Sequence, residues 1–277
     1  MSAGGEGAAD VAALPVADRG AGWEPVRRRA SEVTPARVFL GSAGVAPRTV
    51  DALAFRADHA VARDAVDARM EVDDGPLAPL GLFAVTTEAP DPATYLRRPD
   101  LGRRLGPAAQ AVLAREGTPH ADVQVVVGDG LSATAVHAQV PTLLPLLHDL
   151  VVARGWTWGR PFAVRHCRVG VMNDVGAALE PATVVLLVGE RPGLGTAESL
   201  SAYLAWAPRP GCTDADRNLV SNINERGTPV AMAAPRIVAF LEAIRAAGAS
   251  GVAVKEPDPV PTPGSGAVPL SGGGEPT

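Results

Sequence analysis

Two glycine-rich segments carry the residue types and spacings that most invite chemistry. Gly128-Asp129-Gly130-Leu131-Ser132-Ala133 fits G-x-G-x-x-A, the form that brings a backbone close to a pyrophosphate at a helix start. A dinucleotide site also wants an acidic residue roughly 20 residues further on, at the end of the next strand. Asp149 has that spacing but falls within a leucine-rich stretch that reads as helix. A tight strand-to-helix turn capped by Ser132 or Thr134 is the plainer reading. Gly189-Glu190-Arg191-Pro192-Gly193-Leu194-Gly195 follows an apolar run and has the glycines of a phosphate loop without its Gly-Lys-Ser/Thr. With no lysine for a phosphate and no hydroxyl for magnesium, the pattern argues against nucleoside triphosphate hydrolysis. What remains is a loop that approaches a large ligand with Glu190 as hydrogen-bond acceptor, or a structural loop closed by an Arg191 ion pair.

The other reactive residue types do not assemble into a catalytic pattern. His59, His120, His137, His148 and His166 form no H-E-x-x-H, and no G-x-S-x-G nucleophile elbow occurs. Two cysteines, Cys167 and Cys212, are too few for a disulfide framework or a thiolate zinc site. Lys255 is the only lysine, and the remaining basic residues are arginine. A net charge of −5 over 277 residues argues against a general phosphate-backbone binder, which needs a concentrated positive field.

The elements that must position these loops follow from periodicity. Residues 1–34 lack a sustained apolar period and read as a disordered tail, with Arg27, Arg28 and Arg29 solvated. Residues 257–277 are dense in Pro, Gly and Ser and read as a second one. Residues 35–115 read as a mainly helical part, with Leu53, Ala57, Ala60 and Val61 at helical spacing and another helical stretch broken at Pro107. Residues 116–256 read as an α/β part. Strands are expected at residues 123–127, 161–171 and 184–188 and a short last one at 252–254. Helices are expected from Ser132, through Leu143 to Val151, and over residues 234–247 before Gly248. The expected fold class is therefore α/β, a Rossmann-like doubly wound, mostly parallel sheet preceded by a smaller helical N-terminal part. Ligands in such sheets lie beyond the carboxyl ends of the strands, which points at residues 128–132 and 189–195. No apolar run approaches a membrane span and no basic cluster leads into an apolar segment at the N-terminus, so a soluble, intracellular protein is expected.

Five blocks, RTVDALAFRADHAVARDAV, YLRRPDLGRRL, DVQVVVGDGLSATAV, VVLLVGERPGLGTAESLSAY and DADRNLVSNI, together resemble the small subunit of ethanolamine ammonia-lyase in order and spacing. The resemblance implies an adenosylcobalamin-dependent lyase that converts ethanolamine to acetaldehyde and ammonia. It implies a large subunit holding the substrate, a hetero-oligomer with six copies of each chain, and an α/β part of the small chain that covers the cobalamin. Carried over by position, the implied cobalamin contacts are Val169, Glu190 and Leu219, with no catalytic residue and no metal ligand on this chain. Val169 competes with a reading as strand core, and Glu190 with an ion pair to Arg168 or Arg191. Leu219 stands where relatives can carry cysteine, and Asn224 where they can carry histidine. Arg168, Arg191 and Gly193 are neighbours of these positions. Some relatives are packed inside a bacterial microcompartment, which N-terminal segments can direct; the Gly/Ala-rich N-terminal segment here lacks a convincing amphipathic stripe, and the expected location is cytoplasmic, with packing inside such a compartment left open. The rival functions are a dinucleotide oxidoreductase built on GDGLSA and a stand-alone cobalamin-binding scaffold.

Overall fold

The computed structural model describes residues 24–34 and 36–257; the outer parts of both expected tails lie outside the described residues. Helix α1 (Glu24–Val33) falls inside the segment read as tail, and none of its residues is buried. Its surface ion pairs Arg27–Glu24 and Arg29–Glu32 have the i,i+3 spacing that favours helix. A two-residue hairpin, β1 (Ser42–Ala43) and β2 (Ala46–Pro47), leads into α2 (Thr49–Asp67). The apolar period expected here does form a helix, but the stripe is not turned to a core. Only Ala65 is buried, while Val50, Leu53, Phe55, Val61 and Val66 are exposed.

The expected helical run is then interrupted by β3 (Phe83–Thr86), an edge strand of the main sheet. Helix α3 (Pro92–Arg97) is capped by Asp91, whose carboxylate accepts from the Thr94 amide at 2.9 Å. Pro107 opens α4 (Pro107–Glu116) rather than breaking a helix, because the first helical residue needs no N–H partner. The alternating part runs β4 (Val123–Gly128), α5 (Ala133–Val152), β5 (Phe162–Arg165), α6 (Val171–Leu179), β6 (Thr183–Gly189), β7 (Leu200–Trp206), β8 (Asn218–Ile223) and α7 (Val230–Ala247).

The six strands lie in the order β3-β5-β4-β6-β7-β8. The first four are parallel, and β7 and β8 are added antiparallel. Every residue of β4 and β6 is buried, as an unbroken Val/Leu run in a doubly covered parallel strand requires. One face packs Val125, Val127 and Leu187 under α5 and α7, and the other packs Val126, Leu186 and Val164 under α4 and α6. By length and composition alone α5 is apolar enough to cross a membrane, but Val136, Val140, Leu143, Leu147 and Val151 are buried in the core between the sheet and α7.

Two strand expectations are corrected. The strand expected over residues 161–171 ends at Arg165, because His166 turns the chain with φ 57. In place of a strand at residues 252–254 there is a 3-10 turn, Gly251–Ala253, followed by Val254 as its cap, with both ends held by the Asn218 side chain.

The two glycine-rich loops meet backbone to backbone. A Cβ at Gly189 would lie 2.0 Å from the Ser132 carbonyl oxygen, and one at Gly130, where φ is +58, would lie 2.2 Å from the Gly189 oxygen. A Cβ at Gly193 would meet nothing within 4 Å. Gly189→Ala is therefore expected to lower stability by about 2–4 kcal/mol through backbone overpacking. Gly193→Ala is expected to stay within about 0.5 kcal/mol of the parent. Urea unfolding of the two variants side by side checks the contrast.

Candidate functional site

β5 and β6 flank β4, reached through α5 and α6 on opposite faces of the sheet. That arrangement opens a crevice at the carboxyl ends of the three strands. A cleft of about 420 Å³ lies there, walled by Tyr95, Arg168, Val169, Glu190, Tyr203 and Ser221 among others.

Asp129 braces the inner wall from behind. It follows β4 directly, and its two carboxylate oxygens accept the amides of His166 at 2.7 Å and Cys167 at 2.8 Å. Burial pushes its carboxyl above the ordinary range, against the pull of those backbone donors. The Tyr95 hydroxyl lies 2.7 Å from the Gly130 carbonyl and 2.9 Å from that of Cys167, tying α3 to the same two loops. Burial also pushes the Tyr95 hydroxyl well up. The Cys167 thiol is raised by burial and by the charge of Asp129, so it stays a neutral wall group rather than a nucleophile.

Three amides of the turn that enters α5 are engaged within the protein. Leu131 donates to Gly189, Ser132 to Asp129, and Ala135 to the Ser132 hydroxyl. The Ser132 hydroxyl in turn donates to the Ala197 carbonyl at 2.7 Å. This is the tight capped turn, with its glycines serving loop-to-loop packing.

Glu190 builds the outer wall from the end of β6. Its Oε1 accepts the Ser201 hydroxyl at 2.6 Å and the Asn222 amide at 2.8 Å. Neither Arg168 nor Arg191 pairs with it among the described residues. Oε2 has no protein hydrogen bond among those residues, so it can accept one from a ligand. Beyond Glu190 the sheet is open. On β7 and β8, Tyr203 is half-buried and its register partner Leu219 is 41% exposed, with Ser221 exposed on the same strand face.

Of the three residues implied by resemblance, Val169 and Glu190 line the cleft, while Leu219 stands beside Tyr203 on the open sheet face. Val169 comes from the loop that starts α6, its carbonyl accepting the Met172 amide, and not from a strand. Arg168 and Arg191 line the cleft. Asn224 is buried away from it, donating to Asn222 and Ser199 and accepting the Arg226 amide, so it shapes the exit of β8. Sequence reading missed Tyr95, Asp129, Ser201, Tyr203 and Ser221 as site residues. For Asp129 a signal was present, an acid directly at the end of an apolar strand.

Compared with known families, residues 24–255 match the family described as ethanolamine ammonia-lyase light chain (EutC).

Removing the Asp129 carboxylate leaves two loop amides without acceptors, at about 1–3 kcal/mol for each buried group left unpaired. Asp129→Ala is expected to lower unfolding stability by about 2–5 kcal/mol. Asp129→Asn, which keeps one acceptor, is expected to cost about half as much. Denaturant midpoints of the two variants check the order.

Proposed function

The chain belongs to the ethanolamine ammonia-lyase light-chain family, and from that premise we propose that it forms one wall of the adenosylcobalamin site in that lyase. The family is one of two subunits of a B12-dependent enzyme. The reading assigns substrate binding and the reacting atoms to the large subunit, and to this chain the enclosure of the cofactor. The assembly holds six copies of each chain, and its reaction converts ethanolamine to acetaldehyde and ammonia.

The observation that carries the proposal is the open, one-sided cleft at the switch point of the sheet. At about 420 Å³ it is smaller than a corrinoid, so it suits one edge of such a ligand. Its chemistry fits that edge. Val169, Val188 and Leu131 offer apolar surface, Glu190 keeps an oxygen for an amide N–H, and Arg168 has a buried Nε without an acceptor. In this reading Glu190 accepts from a carboxamide arm, Val169 packs on the macrocycle edge, and Leu219 extends the contact along the open face of β8. When bound, adenosylcobalamin supplies the cobalt–carbon homolysis that initiates hydrogen abstraction. The task of this chain is to orient the ligand and keep water from its edge. The exposed apolar side chains of α2 support a partner chain, since contiguous apolar surface on a free protein marks an interaction site.

Two measurements test the reading. Co-expression with the large subunit should give a complex that releases acetaldehyde from ethanolamine only with both chains and adenosylcobalamin present. In that complex Glu190→Gln keeps the acceptor for Ser201 and Asn222 but presents a donor to the ligand. It should weaken corrinoid affinity by about 1–3 kcal/mol at an unchanged melting temperature. Unaltered affinity removes Glu190 from the site.

A further inference from the structure

We propose that the guanidinium of Arg168 is a further ligand-binding group of this cleft, donating hydrogen bonds to an oxygen on the corrinoid rim. The acceptor is a carboxamide or phosphodiester oxygen. The inference rests on the cobalamin reading above and assigns a second polar contact within it.

Among the described residues Arg168 has no side-chain acceptor. Its Nε is buried and without a hydrogen-bond partner, and the side chain makes no ion pair among the described residues. Neither nearby carboxylate pairs with it. Asp129 gives both oxygens to the His166 and Cys167 amides, and Glu190 gives one to Ser201 and Asn222. Arg168 lines the cleft, and no protein acceptor among the described residues takes up its guanidinium, so the fork is left for an acceptor carried by a ligand.

The guanidinium is nevertheless held in place. Its carbon lies 4.3 Å from the Tyr95 ring centroid, a cation–π contact that fixes the plane of the fork. Tyr95 is itself pinned through its hydroxyl to the Gly130 and Cys167 carbonyls. The backbone is fixed by the bond from the Arg168 amide to the Gly102 carbonyl at 2.7 Å. A Cβ at Gly102 would lie 2.8 Å from Arg168 Cγ, so the glycine leaves the channel in which the arginine stem lies. A planar donor fork, pre-oriented in a cleft and lacking an acceptor of its own, suits a bidentate or paired oxygen acceptor. Glu190 supplies the complementary acceptor, and a carboxamide-fringed ligand presents both polarities.

The test uses the complex with the large subunit and equilibrium dialysis with two probes: cyanocobalamin, and dicyanocobinamide, which lacks the nucleotide loop and its phosphate. Arg168→Met is expected to weaken cyanocobalamin binding by about 10- to 100-fold, with assembly and melting temperature unchanged. An equal loss for the cobinamide places the acceptor on a carboxamide, and a loss confined to cyanocobalamin places it on the phosphodiester. Wild-type affinity for both probes in Arg168→Met overturns the assignment. If that variant does not assemble, Arg168→Lys keeps the charge without the fork and should bind several-fold more weakly than the parent. Parental affinity in Arg168→Lys then overturns it. A parent complex that binds neither corrinoid fails earlier, overturning the cobalamin reading and this assignment with it.

Discussion

The carboxylate of Asp129 holds the ends of two parallel strands together, and the rest of the site depends on it. Where a parallel ladder stops, the departing chain carries backbone amides that still need acceptors. Asp129 closes β4 and takes the first two amides beyond β5, those of His166 and Cys167. The capture coincides with the left-handed turn at His166, φ 57, which ends the strand and sends Arg168 and Val169 to the cleft wall. Tyr95 and the Gly130–Gly189 contact then fix the same loops from the third side and from β6. The cleft is thus a set of loops cross-linked at their bases, with little freedom of its own.

Much of the scaffold was legible because its physics is local. The unbroken apolar runs of β4 and β6, the cap at Ser132 and the stop at Gly248, φ 59, all depend on neighbours in sequence. β7 and β8 were missed for the opposite reason. LSAYLAW and NLVSNI interleave Ser201, Tyr203, Asn218, Ser221 and Asn222 with their apolar residues, and Tyr203, Leu219 and Ser221 lie on a face that is not fully covered, so neither looks like a core strand. α2 shows a further limit. Its period specified a helix, but periodicity says nothing about what the apolar stripe faces, and here it faces outward.

The site was legible only in part. Glu190 could be found because it stands at the end of the central strand, where the sheet rule places ligands. Asp129 was visible as a residue of the turn, but its partners are 37 and 38 positions away. Tyr95 reaches Cys167 across 72 positions. Arg168 was visible only as a neighbour of Val169, since what distinguishes it is the missing acceptor, and a missing acceptor has no sequence pattern. Tyr95, Asp129 and Ser201 direct their polar groups inward to hold the loops, and that role depends on partners far away in sequence.

The open flank of β7 and β8 has a consequence for turnover of the bound molecule. The loops beside it are cross-linked at their bases, so among the described residues they offer no flap that could swing aside for a bulky ligand. In the proposed function the opposite wall belongs to the large subunit. On that reading, filling the site would be a matter of subunit traffic: the two chains would have to part before the compartment between them could be loaded.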